Sequence, residues 1–357
     1  MVKVALSSCS ALYAKELARI SGDIPGRDIY FGRVDEPLPE IADPEFDFRS
    51  CRLLAWAVKG MRPQIDAALR RYGRGRVAVV LGASNTGVDE AQRHIDSSLG
   101  RAPGSAIGKF PLEFRFSMLE LGAPSEYLAA ATGAEGPCYT ISTACSSSAK
   151  AFPAARRLIA AGVCDAAVVG GVDGRCRFAM NGFNALGALA QERCRPLADD
   201  RDGICLGEGV ALFMMERADA ACWHGETPVL LSGAGESSDA YHATAPDPEG
   251  RGAEAAMRAA LADAGCSAAD VDYVNLHGTG TQANDAMEMK AVRRVFGEPL
   301  PTVESTKAFT GHCLGAAGAV EAAICWRRIR DGKSRCAISN SFAFGGSNAS
   351  IVIENMV

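Results

Sequence analysis

Residues 136–150 read GPCYTISTACSSSAK, and the change of character inside this stretch decides the fold class. Residues 138–143 are mostly β-branched or aromatic and favour a strand, whereas from Ala144 onward the residues are small and compatible with a helix. Cys145 therefore falls at a strand-to-helix switch. Free backbone N–H groups and the positive end of the helix dipole meet at such a point, and both favour a thiolate and any oxyanion formed beside it. The sequence thus predicts a nucleophilic thiol lowered from the ordinary value of about 8.5. The competing reading is a buried structural cysteine, for the chain carries thirteen cysteines.

Outward from this stretch, one order of elements occurs twice. Residues 51–73 place apolar residues at helical spacing, interrupted at Pro63, and lead into the apolar run 77–81 and the loop GASNTG, with Asp89 and Glu90 beyond. Residues 252–265 form a cleaner amphipathic helix, followed by the run 271–276 and then HGTGTQANDAMEM. Pro137 opens a strand and reactive turn in the first half as Pro301 does in the second, and a helix rich in small residues follows each. The halves close with DGICLGEGVALFMME and NSFAFGGSNASIVIE, each a glycine-rich turn feeding an apolar strand that ends in glutamate. Four matches in one order indicate a duplicated α/β unit, with halves at residues 1–217 and 218–357. Apolar strands such as residues 166–170 call for sheets covered by helices on both faces. Pro153, inside the helix after Cys145, removes a backbone hydrogen bond at a cost of about 3 kcal/mol and predicts a kink at residues 149–152.

The composition excludes several classes of function. Hydrophobic residues make up 48% of the 357 and charged residues 22%, as in ordinary globular proteins. A net charge of −5 argues against a nucleic-acid partner, which demands a basic face. The cysteines are odd in number and never spaced C-x-x-C, so neither a disulfide framework nor a zinc ribbon is indicated and a reducing cytoplasm fits best. Lys15, Glu16 and Arg19 interrupt the N-terminal apolar run too early for a membrane span.

Of the five histidines, His94, His224 and His242 lack an informative setting. His277 follows a strand and opens HGTGT, while His312 sits in TGHCLGAAG at another strand-to-helix junction. With Cys145 they occupy equivalent chain ends. TACSSS around Cys145, CRPLADDRDGICLGEG from Cys194, HGTGT from His277, ESTKAFTGHCLGAAGAVE from Glu304 and NSFAFGGSN from Asn340 together make the chain resemble a β-ketoacyl-acyl-carrier-protein synthase. The resemblance is to the elongating ketosynthases of the thiolase superfamily, and it covers nearly the whole chain.

The resemblance implies a thiolase-like αβαβα five-layer fold built from two duplicated halves, in agreement with the internal repeat. It implies that Cys145 accepts an acyl group from an acyl carrier protein, and that His277 and His312 polarise the thioester of malonyl-carrier protein as carbon dioxide leaves. The enolate then attacks acyl-Cys145, with the backbone N–H groups of Cys145 and Phe344 as the oxyanion hole. Lys307 matches the family's active-site lysine and Glu321 a buried partner of it, although both also fit one structural ion pair. Thr279 and Thr281 match hydroxyls that bind phosphopantetheine, or serve local turn bonding. Phe344, beside Gly345 and Gly346, matches a gating residue, and Phe183 an acyl-pocket or core aromatic. No metal or bound cofactor is implied, the substrates being carried on the phosphopantetheine of the carrier protein.

The chain departs from most elongating ketosynthases in compact segments around residues 9–48, 82–111 and 235–252, which leaves chain length and the choice between fatty-acid and polyketide or polyene routes open. Arg49, Arg52, Lys109, Arg115 and Arg193 are candidates for docking an acidic carrier protein, against the default of solvated surface charge. A homodimer or a heterodimer with a related subunit is implied. The alternative function is a chain-length factor, a partner subunit that shares the fold, but such subunits typically lack the cysteine. Thiolases use a second cysteine near the C-terminal end, which NSFAFGGSN lacks, and the second histidine in TGH disfavours an initiating synthase with a Cys-His-Asn set.

Overall fold

A computed structural model of the chain describes residues 2–98, 112–219 and 229–356, with the side chains of residues 97 and 98 left aside. The first half runs β1 (Val4–Tyr13), β2 (Ala18–Ile24), β3 (Arg27–Gly32), α1 (Arg49–Tyr72), β4 (Val77–Gly82), α2 (Val88–Ser98), α3 (Ala123–Thr132), β5 (Cys138–Ile141), α4 (Ser147–Ala160), β6 (Ala166–Asp173), α5 (Arg177–Ala185), β7 (Leu206–Gly207) and β8 (Gly209–Arg217). The second runs β9 (Val229–Ser238), α6 (Arg251–Ala264), β10 (Tyr273–Asn275), α7 (Gln282–Phe296), β11 (Thr302–Glu304), α8 (Lys307–Thr310), α9 (Ala317–Arg330), β12 (Cys336–Phe342) and β13 (Ser347–Asn355).

The strands lie in the order β5-β4-β6-β8-β1-β9-β13-β12-β10-β11. Replacing each strand by its counterpart in the other half reproduces the order reversed. The orientations match as well: β4 is parallel to β5 and β6, β10 is parallel to β11 and β12, and the inner pairs of each half are antiparallel. The halves meet edge to edge through two residue pairs, Val4 with Leu231 and Ala5 with Leu230.

Alternation along the strands sets the layers, since successive side chains point to opposite faces. On β4, Val77, Val79 and Leu81 face α1, which buries Leu53, Leu54, Met61 and Ile65 against them. Ala78 and Val80 face the other way, into a core shared with Phe152 of α4 and Ala319 and Ala322 of α9. In the second half Val274, Ile338 and Val352 pack under Met257 of α6 and Met287 of α7. The result is outer helices, a five-stranded layer, the α4 and α9 layer, a second five-stranded layer and outer helices again. Small residues let the central helices approach: a Cβ on Gly318 would come within 2.7 Å of the Ala149 nitrogen. No helix of the described residues is long and apolar enough to cross a membrane.

Neither Pro63 nor Pro153 ends its helix, and the interruption expected at Pro63 needs correction. Pro63 does not break α1, which runs unbroken from Arg49 to Tyr72. Pro63 and Lys59, whose carbonyl loses its partner, are exposed, so water takes the lost bond. Pro153 likewise lies within a continuous α4 and does not interrupt it at residues 149–152. Neighbouring Phe152 is fully buried and packs edge-on to Phe213 at 5.2 Å, so tertiary burial offsets what the proline costs.

Candidate active site

The nucleophile turn is built by the residues that flank it. Ala144 adopts a left-handed φ of 52°, a conformation that costs a non-glycine residue about 1–3 kcal/mol and must be held by its surroundings. The serines do this. Ser146 Oγ donates to the Thr143 carbonyl at 2.9 Å, Ser147 Oγ donates to the Ala144 carbonyl and accepts the Thr143 N–H at 2.9 Å, and Ser148 Oγ accepts the Ala319 N–H at 2.9 Å. The first two staple the turn, and the third ties α4 to α9. Cys145 is delivered just before the first turn of α4, with the Phe344 backbone N–H directed at its sulfur.

His312 comes from the opposite half and is framed by backbone. Its N–H donates to the Cys205 carbonyl at 2.8 Å and its carbonyl accepts the Gly207 N–H at 3.0 Å, so part of the CLGEG segment is a rail for this histidine. His277 is set by Glu288 of α7, whose two oxygens accept the N–H groups of His277 and Gly278, each at 2.8 Å. His312 Nε2 stands 2.9 Å from Cys145 Sγ, and the two imidazoles meet edge to face with centroids 5.2 Å apart. A donor atom from each of the three residues lies within 4.8 Å of the others. Lys307 and Glu321 form a fully buried ion pair behind them.

Burial governs the electrostatics. It drives His277 and His312 well below the usual histidine range, with the charge of Lys307 pushing the same way, so both rings are neutral near pH 7. Burial also pushes the Cys145 thiol up to about 12, against the pull of Lys307 and the Phe344 amide. The lowered thiol expected from the sequence is therefore corrected: the resting sulfur keeps its proton, and the imidazole at 2.9 Å is the group placed to receive it. Burial raises Glu321 to about 7 against Lys307. Among the described residues Cys145, His277 and His312 are the one cluster with the spacing to hold a metal ion, but Lys307 faces all three and repels a cation.

These residues open on a cavity of about 200 Å³ lined also by Phe183, Thr279, Thr281 and Phe344. The two threonine hydroxyls bond each other at 2.9 Å, and Thr281 caps α7 by accepting the Asn284 N–H, so local turn bonding is present along with exposure to the cavity. Phe344 is 38% exposed and packs on Phe183 at 5.6 Å, with left-handed Gly345 and Gly346 after it.

The docking candidates are less free than the sequence suggests. Arg49 is bound by the buried Glu208, Arg52 chelates Asp47 through both oxygens, Arg115 pairs with Glu45, and Arg193 lies 5.5 Å over the Tyr30 ring. Lys109 and His224 lie outside the described residues. Sequence reasoning missed Glu208, Glu288 and Asp173, three buried acids that hold loops by accepting backbone N–H groups. The signal for Glu208 was an acid between two glycines at the head of an apolar run.

Residues 54–221 match the N-terminal domain of beta-ketoacyl synthase, and residues 229–336 match its C-terminal domain. The chain is 38% identical over 255 residues to nodulation protein E of Rhizobium meliloti, covering 63% of each protein. It is 39% identical over 257 residues to 3-oxoacyl-[acyl-carrier-protein] synthase 2 of Rhizobium meliloti (strain 1021), covering 61% of each, so the match spans less than two thirds of these relatives. A solved complex of a ketosynthase (ApeO) with its chain length factor (ApeC) from Xenorhabdus doucetiae contains a chain 38% identical, with a TM-score of 0.90 over 99% of this chain and 98% of that one.

Proposed function

The chain belongs to the β-ketoacyl synthase family, and from that premise we propose that it is an acyltransferase catalysing a decarboxylative Claisen condensation. Acyl-carrier protein and malonyl-carrier protein give 3-oxoacyl-carrier protein and carbon dioxide, in fatty-acid or polyketide synthesis. The observation that carries this reading is the Cys145 sulfur at 2.9 Å from His312 Nε2, with the Phe344 amide on the same sulfur, at the wall of a cavity.

In the first step His312 accepts the thiol proton, and the Cys145 sulfur attacks the thioester carbonyl of the acyl donor. The N–H groups of Cys145 and Phe344 hold the oxyanion, and each such donor contributes about 3 kcal/mol. The carrier thiol leaves with the proton that His312 took, which returns the imidazole to its neutral form, and acyl-Cys145 remains. In the second step His277 and His312 donate hydrogen bonds to the thioester oxygen of the malonyl group. Their neutral state suits this role, because a neutral imidazole polarises a carbonyl without surrendering its proton. Carbon dioxide departs, and the enolate carbon attacks acyl-Cys145, expelling the Cys145 sulfur and forming the new carbon–carbon bond. Lys307, held by Glu321, adds its charge to the burial that keeps the histidines neutral. Thr279 and Thr281 bond the phosphopantetheine arm, Phe344 gates the cavity, and Phe183 lines the acyl end. Residues 1–217 form the half bearing the nucleophile and 218–357 the half bearing both histidines and the lysine.

An acyl carrier protein is the partner, with Arg52, Lys109, Arg115 and Arg193 as its docking residues, while Arg49 is committed to the buried Glu208. The working form is a dimer, with itself or with a related subunit. A cytoplasmic setting suits the described cysteines, all of which are free. No cofactor is needed beyond the phosphopantetheine that carries the substrates. Intact-mass analysis after incubation with a panel of acyl-carrier proteins tests this: an acyl adduct is expected on the protein and none on Cys145→Ala. An adduct that persists in the variant, or none from any donor, defeats the assignment.

A further inference from the structure

Asp173 ends β6 with no exposed surface, and the mechanism above makes no use of it. Its oxygens accept the Ser84 N–H at 3.0 and 3.1 Å, the Ser84 hydroxyl at 2.8 Å and the Asn85 N–H at 2.6 Å. Ser84 passes the connection on, because its Oγ accepts the Gly315 N–H at 3.2 Å. Gly315 lies just beyond His312, in the turn that leads to α9. A Cβ on Gly315 would sit 2.8 Å from Asp173 Oδ2 and 2.7 Å from the Ser84 nitrogen, so the turn presses directly on this pair. Leu314, the residue before Gly315, holds a left-handed φ of 50°, which a leucine keeps only when its surroundings impose it. Asp173 also lies near enough to Cys145 to oppose its ionisation.

We propose that Asp173 is a positioning residue: through Ser84 it fixes the turn that follows His312, and so sets the contact between His312 and Cys145. The claim about turnover rests on the condensing function proposed above, whereas the claim about the thiol–imidazole contact does not.

Asp173→Ala removes the clamp. Asp173→Asn retains it, because the amide oxygen keeps both backbone N–H groups and the amide nitrogen donates to Ser84 Oγ, but the charge is lost. Two measurements on the full chain separate positioning from folding: kcat and KM for condensation, and the rate of Cys145 alkylation by iodoacetamide from neutral to alkaline pH. A thermal melt of each variant accompanies them. The groups that face Cys145 are His277, His312, Lys307, Asp173 and Glu321.

For Asp173→Ala, kcat falls about 10- to 100-fold with KM for the carrier protein held, as for a small misplacement of reacting groups. Asp173→Asn recovers most of kcat, and its alkylation profile moves to lower pH because a negative charge near the sulfur is gone. If Asp173→Ala does not fold, Ser84→Ala carries the test: it cuts the link to Gly315, and kcat falls with KM unchanged. Wild-type kcat and alkylation in Asp173→Ala, a loss that Asn does not recover, or a loss confined to KM overturns the proposal. If the unaltered protein forms no 3-oxoacyl product while alkylation still slows in the alanine variant and recovers in the asparagine variant, the positioning role stands and the condensing function falls.

Discussion

The turn at residues 143–146 and the turn at residues 312–315 are counterparts in the two halves, and they put one backbone device to opposite uses. Each holds a non-glycine residue in the left-handed region, Ala144 at φ 52° and Leu314 at φ 50°, and each leads into a helix of the central layer. In the first half the next residue is Cys145, and the turn is stapled by its own serines. In the second half the next residue is Gly315, which has no side chain and presses on Ser84 and Asp173 of the other half. Its reactive group, His312, stands before the bend instead of after it. One turn is held mainly by its own serines, with one bond from Ser146 to Ser347 of the other half at 3.1 Å, and presents a nucleophile. The other is completed by residues about 230 positions away and presents the nucleophile's partner.

Loss of the partner imidazole is expected to be the largest effect. His312→Ala should lower the condensation rate by about 10²- to 10⁴-fold, the usual value of a positioned proton acceptor, read as carbon dioxide release with malonyl-carrier protein. A variant within tenfold of the unaltered rate would make the two turns functionally unrelated. Next comes the ion pair behind both: Lys307→Ala leaves Glu321 buried without its partner, to stand as an unpaired charge or take up a proton, and should destabilise the fold by about 3–5 kcal/mol in urea unfolding at neutral pH. At acid pH that deficit should shrink, because Glu321, raised to about 7 by burial, is then protonated and needs no partner.

The contrast between the turns sharpens with a methyl group. Gly315→Ala should cost about 1–3 kcal/mol, since its Cβ meets backbone and carboxylate at under 3 Å, and the melting temperature should fall. No change in melting would show that the second turn does not depend on its close approach to Ser84 and Asp173. The smallest effect is that of Ser148→Ala, which leaves the Ala319 N–H unbonded and should cost about 1 kcal/mol by the same melt, with Cys145 alkylation unaltered.

The difference between the turns also explains what could be read from the chain before its structure. The switch at Cys145 is local, carried by β-branched residues before it and serines after it, and adjacent residues disclose it. The order of elements in both halves is local too, and the reversed strand order of the sheet follows from it. The direction of the Cys145 ionisation was not legible, because the burial that raises it comes from His277, His312 and Phe344 of the other half. Asp173, Glu208 and Glu288 escaped notice for the same reason: a lone acid in a sequence reads as surface until the loops whose N–H groups it holds are folded over it. The arginines erred in the opposite sense, since Arg49 belongs to a glutamate 159 residues on. Pro153 shows tertiary packing overriding a local rule, whereas Pro63 is tolerated because it and Lys59 face solvent.

The place of β1 has a consequence for how the chain is made. It precedes the other described strands in the chain and lies at the middle of the sheet, pairing along nearly its whole length with β8, where Val4 sits opposite Arg217. Until some two hundred residues have followed, β1 has no edge to join, and its other neighbour β9 comes later still. Contacts so distant in sequence slow folding and prolong the exposure of unpaired strand edges, so the first half cannot close as it emerges. A nascent chain halted before β8 would carry the Cys145 turn without His277, His312 and the Phe344 amide that face it, and the nucleophile is assembled only when synthesis is well advanced.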